Sequence, residues 1–372
     1  MKKIVLFLVV LFFGLGISAC DKEDDEGNGG YDYDKIPDTM ESSSYEIAFV
    51  TDIGQLKDKS FNQGTWEGLK RYAYENNKSY KYYQPAGGDA STTDDRYNAM
   101  KAAINGGAKI VVCAGFMQGD ALNKIAPENP NVKFVFIDGW NMGMENLVAI
   151  IFQEEQAGYL AGYGAVMDGY RKLGFAGGGG GENPACERFG YGYIQGANDA
   201  AKELGVKVDM KYSWLYGASF SASTELQTML EGWYTTGTEV VFACGGSMCT
   251  SAFAAASANN GKVIGVDVDQ AAESPTVITS AMKGLREGTM FALAKFFDNK
   301  WSEVADKNVN LGAMDNAIGL PTEEASWRFK TWTIESYNKL FDSLKNSTVK
   351  VDADVTGHEE KTYSNVNLTW VK

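Results

Sequence analysis

The chain has 372 residues, of which 34 are Lys or Arg and 48 are Asp or Glu, and its formal net charge is −14. This acidic balance argues against a nucleic-acid polymer as a partner, because phosphate backbones are bound by clustered lysine and arginine side chains. The length exceeds what one hydrophobic core comfortably serves, so we expect two folded units.

The first 19 residues predict a signal peptide. Lys2 and Lys3 precede an apolar stretch, residues 4–16, that is short for a membrane span, and no later stretch is long and apolar enough to be one. Small residues stand immediately before Cys20, a pattern that resembles the cleavage and lipidation site of bacterial lipoproteins. We therefore predict an extracytoplasmic protein that a lipid on Cys20 anchors to the cell membrane. A plain signal peptide is the alternative.

Residues 20–43 predict a solvated tether, because they are acidic, contain glycine and are poor in aliphatic side chains. The apolar run at residues 47–50 then predicts a buried parallel strand. It is followed by Asp52, a polar loop and the pair Phe61 and Asn62, which opens a helical stretch. Ligands of open α/β sheets bind at the carboxyl ends of strands, so these side chains are candidate ligand contacts. An ordinary turn with a core phenylalanine is the alternative.

The body of the chain alternates apolar strands with amphipathic helices. Further strands are predicted at residues 81–84, 109–114, 132–137, 147–152, 172–176, 210–215, 239–243, 263–268 and 277–281. Helices are predicted at residues 92–105, 155–167, 190–204 and 223–234. Strands separated by such helices imply mostly parallel sheets, and the two series imply two doubly wound α/β domains with a break near residues 152–155.

Glycines follow several of these strands, and five of them stand together at residues 177–181. The run does not fit the dinucleotide pattern GxGxxG, because Glu182 or its neighbours replace the third glycine, and no GK[ST] follows. We interpret it as a flexible loop at a hinge or at the rim of a cleft. Four cysteines after Cys20 form no CxxC pair, and the chain has one histidine, so we predict no metal and no other cofactor. The sequence assigns no disulfide.

The motif DxGxxxDKSFNQ at residues 52–63 resembles that of the basic membrane protein (PnrA-like) family of bacterial substrate-binding lipoproteins. That family includes the purine-nucleoside receptors of ABC importers. The stretches FIDG at 136–139, FQEEQAGYLAGYGA at 152–165, GVDVDQ at 265–270 and VITSAMKG at 277–284 resemble the same family in the same order.

The resemblance implies a type I periplasmic-binding-protein fold, in which two lobes joined by a hinge close on one small molecule. Lobe 1 would comprise residues 44–153 plus about 271–318, and lobe 2 about 154–270 plus 319–372. The ligand would be a purine nucleoside, and the closed protein would deliver it to an ABC transporter permease.

The resemblance also assigns roles within the cleft. Phe61 would stack on the base beside Asn62, Asp138 would read the base edge, and Asp52 would line the same end. Asp267 and Lys283 would hold the ribose hydroxyls, with Gly245 or Gly246 letting the backbone close on the sugar. The second aromatic plate would be Phe220 or, as second choice, Trp214. Arg188 stands where related sugar receptors place a cleft arginine. Each residue also has a plain alternative: a helix cap, a core ring or a surface charge.

Two other classes of function remain open in the sequence. A sugar or signal-molecule receptor of the same fold would pack its aromatics on a pyranose ring. A nucleoside or glycoside hydrolase could use paired carboxylates, but the only histidine, His358, lies in a polar tail outside the strand series. We predict a binding protein rather than an enzyme. The preferred base or sugar, the permease, the envelope type and the role of the aromatic C-terminal segment are not determined by the sequence.

Overall fold

Two open sheets, each flanked by helices, organise the chain. The computed structural model describes residues 32–53 and 55–372, so the predicted signal peptide and Cys20 lie outside the described residues. The strands are β1 (Ile47–Val50), β2 (Tyr80–Tyr83), β3 (Ile110–Ala114), β4 (Lys133–Ile137), β5 (Leu147–Phe152), β6 (Lys172–Gly177), β7 (Val208–Ser213), β8 (Val240–Cys244), β9 (Lys262–Asp267), β10 (Val277–Lys283), β11 (Asn308–Leu311), β12 (Ile318–Gly319) and β13 (Val366–Trp370). The helices are α1 (Phe61–Glu75), α2 (Thr93–Asn105), α3 (Gly119–Glu128), α4 (Glu154–Met167), α5 (Pro184–Leu204), α6 (Thr224–Thr235), α7 (Cys249–Ala258), α8 (Leu285–Phe297) and α9 (Ile334–Lys345).

Both sheets repeat one topology. The first has the order β11-β5-β4-β3-β1-β2 and the second the order β12-β10-β9-β8-β6-β7-β13. All pairs are parallel except β10 with β12. Strands β1, β3 and β8 are buried along their whole length, as expected for strands that helices cover on both faces. The order reverses between β1 and β3 and again between β6 and β8, and such reversals create ligand crevices. This confirms the predicted fold.

The chain passes between the sheets after β5, after β10 and between β11 and β12. The first passage agrees with the break predicted near residues 152–155. The second falls later than we predicted, because residues 277–283 pair with β9 in the second sheet, whereas our lobe 1 began again at about residue 271. The strand pairing is therefore a correction to that boundary. The division into two lobes itself stays a prediction.

Residues 32–43 are not a solvated tether. Asp38 accepts hydrogen bonds from the indole of Trp66 (3.0 Å) and the ammonium of Lys70 (2.7 Å), and Ile36 is buried. Lys70 is itself 3% exposed, so it needs the acid and carbonyl groups that this segment supplies. The pairing holds the segment against α1. The rest of the predicted tether, residues 20–31, lies outside the described residues.

The aromatic C-terminal segment covers the second sheet. The rings of Phe329 and Trp332 pack against Gly164 of α4, in the space that a side chain at Gly164 would occupy. Helix α9 comes next in the chain. Strand β13, which we did not predict, then extends the sheet by pairing with β7. Its Trp370 lies 4.4 Å from the ring centre of Tyr212. Within residues 32–53 and 55–372, every helix is too short or too polar to cross a membrane.

Replacing Trp370 with Ala should destabilise the protein, because Trp370 covers the buried ring of Tyr212 at the sheet edge. We expect the free energy of unfolding to fall by about 2 kcal/mol, less than for a fully buried tryptophan. Chemical denaturation measures this loss. Thr369→Ala, at the exposed neighbouring position, is the matched control and should change it by no more than about 0.5 kcal/mol. Equal effects of the two substitutions would contradict the packing role of β13.

Candidate functional site

A cavity lies at the carboxyl ends of strands from both sheets, and its empty space, open solvent included, is about 550 Å³. Nine of the eleven predicted ligand-binding residues line it: Asp52, Phe61, Asn62, Asp138, Phe220, Gly245, Gly246, Asp267 and Lys283. Asp52 and Asp138 follow β1 and β4 of the first sheet, while Asp267 and Lys283 are the last residues of β9 and β10 in the second. The cavity therefore combines polar groups from both sheets.

The first turn of α1 fixes the amide of Asn62. Asp58 accepts the backbone N–H groups of Ser60 (2.9 Å), Asn62 (3.0 Å) and Gln63 (3.1 Å), so it caps the helix. The side-chain amide of Asn62 donates to Asp52 (2.9 Å) and to Asp58 (3.3 Å). Burial raises the pKa of Asp58 to about 7, although the three N–H donors oppose that change. Asp58 also lines the cavity, and our sequence analysis did not single it out.

Lys283 lies at the centre of a buried charge cluster. Its side chain is 1% exposed, and its ammonium donates to Asp138 and to Glu154 (3.3 Å) and lies 3.6 Å from Asp267. Burial lowers the pKa of Lys283, but the three carboxylates outweigh burial and hold that pKa well above its ordinary value. The rings of Phe61, Phe152 and Phe189 lie 5.0, 5.5 and 5.6 Å from the ammonium. The lysine thus joins carboxylates of both sheets beside three aromatic rings.

Asp138 and Asp267, the two cavity aspartates nearest to Lys283, each have one distinctive feature. Burial raises the pKa of Asp138 to about 7, against the lowering effect of Lys283, and its Oδ1 is buried with no hydrogen-bond partner in the described protein. Asp267 Oδ2 accepts the hydroxyl of Ser60 at 2.5 Å, which links α1 to the second sheet. Both adopt left-handed backbone, with φ of 54° and 68°, as does Phe220 with φ of 57°. Such conformations cost about 1–3 kcal/mol each and concentrate at functional sites.

The glycine run accommodates aromatic rings. A Cβ on Gly178 would stand 2.4 Å from the Phe220 ring, and one on Gly245 2.9 Å from it. A Cβ on Gly177 would stand 2.0 Å from the ring of Trp214. Any side chain at these positions would push the rings away. The run therefore shapes the wall that carries Phe220, a role our sequence analysis did not assign to it.

Two predicted site residues do not line the cavity. Trp214 packs edge-on against Phe175 and Tyr212, with ring centres 5.5 and 5.4 Å away, so it is a packing residue behind the wall. Arg188 donates its Nε to Glu154 Oε2 at 2.7 Å, which directs it to that buried carboxylate. The sequence analysis in turn missed cavity-lining residues at the start or in the first turns of α5, after β3 and at or after the ends of β8 and β9: Gly115, Asn183, Ala185, Cys186, Phe189, Cys244, Ser247 and Val266. A position at a strand end was the signal that could have found Gly115, Cys244, Ser247 and Val266.

Within the described residues, Cys113, Cys186, Cys244 and Cys249 are buried free thiols. In the same part of the chain, His, Cys, Asp and Glu side chains form no group of three or more that could hold a metal ion.

Comparison with known proteins relates this architecture to substrate-binding components of transporters. The family model described as ABC transporter substrate-binding protein PnrA-like matches residues 46–355. The nucleoside-binding protein BmpA of an ABC transporter of Lactococcus lactis is 31% identical over 283 residues, 72% of this chain and 74% of that protein. Basic membrane protein B of Borreliella burgdorferi is 30% identical over 84% of this chain and 88% of its own length.

The fold is also similar to that of solved structures. The crystal structure of a solute-binding protein of an ABC transporter system from Aeropyrum pernix K1 superimposes with a TM-score of 0.67. The superposition covers 85% of this chain and 89% of that chain, at 22% sequence identity.

Replacing Lys283 with Met should strongly destabilise the fold, because it leaves buried carboxylates without their cation. We expect a loss of about 3–5 kcal/mol in the free energy of unfolding at neutral pH. The loss should be smaller at pH 4 and grow as the pH rises through 7. Asp138 has a folded-state pKa above its unfolded value, and without the lysine its ionisation is costlier still, so it favours the folded state only while protonated.

Chemical denaturation of both proteins between pH 4 and pH 8 measures this effect. Lys339→Met is the control, since Lys339 pairs with Glu335 on an exposed helix surface and should matter little at any pH. A Lys283→Met penalty that does not change with pH would contradict the proposed electrostatic origin.

Proposed function

Since the chain belongs to the family of PnrA-like ABC transporter substrate-binding proteins, we propose that it captures a purine nucleoside and delivers it to a membrane permease. As a member of that family it acts outside the cytoplasm, and its relatives are binding proteins rather than enzymes. The observation that supports the ligand class most is the convergence of Phe61, Asp138, Asp267 and Lys283 on one cavity. A flat ring with hydrogen-bonding edges and a vicinal diol suits this combination of groups.

The base would lie between Phe61 and Phe220. Stacking of a base on an aromatic side chain contributes about 1–3 kcal/mol in nucleic-acid complexes, so two rings would supply a large share of micromolar binding, which needs about 8 kcal/mol. Asp138 would accept N–H groups of the base edge through Oδ1, which has no hydrogen-bond partner in the part of the chain that the structure describes. Asn62, held by Asp52 and Asp58, would complete that edge.

The ribose would lie against Asp267 and Lys283. A carboxylate accepts hydrogen bonds from two neighbouring hydroxyls, and an ammonium donates to their oxygens. Phe61 begins a helix of the first sheet, whereas Asp267 ends a strand of the second. A ligand that contacts both would favour the closed arrangement of the two sheets, because only that arrangement provides both sets of contacts. The closed protein would then dock on the permease, with a lipid on Cys20 keeping it at the membrane.

The alternatives differ in what they would do with a nucleoside. A sugar receptor of this fold would bind ribose or a hexose and ignore the base. A hydrolase would release free base when the protein is incubated with nucleosides, and chromatography of the mixture detects that release.

The deciding experiment is a thermal-shift panel on protein that has been denatured and refolded, so that co-purified ligand is removed. Guanosine, inosine, adenosine, ribose and glucose are compared at equal concentration. A ligand that binds only the folded state at 100 times its Kd stabilises it by about 2.7 kcal/mol. We expect at least one purine nucleoside to raise the melting temperature. A shift with sugars alone would overturn the nucleoside assignment.

Replacing Asp267 with Asn should weaken nucleoside binding by about tenfold or more, because it removes a charged acceptor for the ribose hydroxyls. Asn tolerates the left-handed backbone at this position, so the fold should persist. Isothermal titration gives the Kd. Asp269→Asn is the matched control, because Asp269 is an exposed neighbour outside the cavity. An unchanged Kd in Asp267→Asn would remove Asp267 from the site.

A further inference from the structure

Glu154 is fully buried and does not line the cavity, yet it contacts the cavity's lysine. It is the first residue of α4, directly after the chain has left β5 of the first sheet. Its two carboxylate oxygens have different partners. Oε1 lies 3.3 Å from the ammonium of Lys283, and Oε2 accepts the Nε–H of Arg188 at 2.7 Å.

Arg188 has other electrostatic partners available. Asp138 and, more weakly, Glu155 also act on the guanidinium, although Glu154 is the strongest partner. Arg188 lies one turn after Ala185 and next to Phe189 on α5, and both of those residues line the cavity. A guanidinium without its carboxylate would therefore be drawn towards the cavity aspartates, because a buried cation needs an anionic partner.

The charges of the cluster explain why one more carboxylate matters. The cluster contains three carboxylates and two cationic side chains. The carboxylates belong to Asp138, Glu154 and Asp267, and the cations are Lys283 and Arg188. With Glu154 engaged by Arg188, the lysine faces Asp138 and Asp267 and the cavity contains no second free cation among its lining residues. Without Glu154, two bases would compete for the two aspartates that the ligand needs.

We propose that Glu154 is a positioning and specificity residue that withholds Arg188 from the cavity and holds Lys283 in place, so that the site accepts uncharged ligands. The inference rests on the proposed function and adds to it that a ligand carrying a phosphate group should be rejected. With Arg188 withheld, an incoming phosphate meets Asp52, Asp58, Asp138 and Asp267 against one lysine. With Arg188 released, a planar guanidinium suited to phosphate would enter the same space.

The test compares binding of guanosine, inosine and adenosine with binding of their 5′-monophosphates. In Glu154→Gln, we expect nucleoside affinity to fall by about tenfold and the preference for nucleoside over monophosphate to shrink by a similar factor. Glu67→Gln is the matched control: Glu67 is also a buried carboxylate paired with an arginine, Arg286, but it belongs to another ion pair and does not line the cavity. It should keep both the affinity and the preference of the wild-type protein.

The double variant Glu154→Gln, Arg188→Gln tests whether Glu154 positions Arg188 or only stabilises the fold. It removes both members of a buried pair, so it should fold even where Glu154→Gln alone does not. It should also regain discrimination against monophosphates, because no guanidinium is left to enter the cavity. A purely structural role predicts no such recovery.

The outcomes are distinct from those for the proposed function. If the wild-type protein binds no purine nucleoside, the proposed function is overturned, and this inference with it. If the wild-type protein binds and Glu154→Gln keeps the wild-type affinity and preference, only the role of Glu154 is overturned. A double variant that discriminates no better than a folded Glu154→Gln would likewise overturn it.

Discussion

The site depends on the ion pairs that the ammonium of Lys283 forms. Lys283 is the last residue of β10 in the second sheet, yet one of its partners, Asp138, follows β4 of the first sheet. A buried lysine is stable only while carboxylates surround it, and buried carboxylates are stable only while a cation does. The two sheets are therefore linked by charged groups, none of which could stay buried without its partner. The cavity lies beside these ion pairs.

This arrangement is costly for a protein that needs only to fold. Asp138, Asp267 and Phe220 occupy left-handed backbone, and Asp138 Oδ1 is buried without a hydrogen-bond partner among the described residues. Strain and unpaired polar atoms of this kind persist where the surrounding structure over-determines them. The glycines beneath Phe220 add to the cost, because they give up side-chain packing to let the ring approach. Stability is thus lost at the places where a ligand would restore it.

Much of the fold could be predicted because its strands are short apolar runs covered on both faces. Residues 147–152 were predicted at their observed bounds. Strand β13 was missed because it is a sheet edge with only Val366 buried, so its pattern alternates with polar residues. The segment at residues 32–43 was misjudged for a different reason. Its acidic composition predicts solvation, and nothing local reveals that Lys70, more than 30 positions away, requires Asp38 as a partner.

The candidate site likewise contains residues that the sequence could identify and residues that it could not. Side chains directly after strands, such as Asp52 and Asp138, could be found because parallel strands deliver their carboxyl ends to one edge. Arg188 was a candidate because related sugar receptors place a cleft arginine at a comparable position, but its direction depends on Glu154, which is distant in sequence. Trp214 and Phe220 stand six residues apart in one loop, and only three-dimensional packing distinguishes the ring behind the wall from the ring within it.

The three passages of the chain between the sheets have a mechanical consequence. If one segment of chain connected the two sheets, they could rotate relative to each other about many axes. Three separate connections must all bend together, which leaves a narrow set of shared rotations and resists twisting. Under the proposed function, opening and closing should therefore follow a reproducible path. Glu154 stands two residues after the end of β5, at the first of these connections.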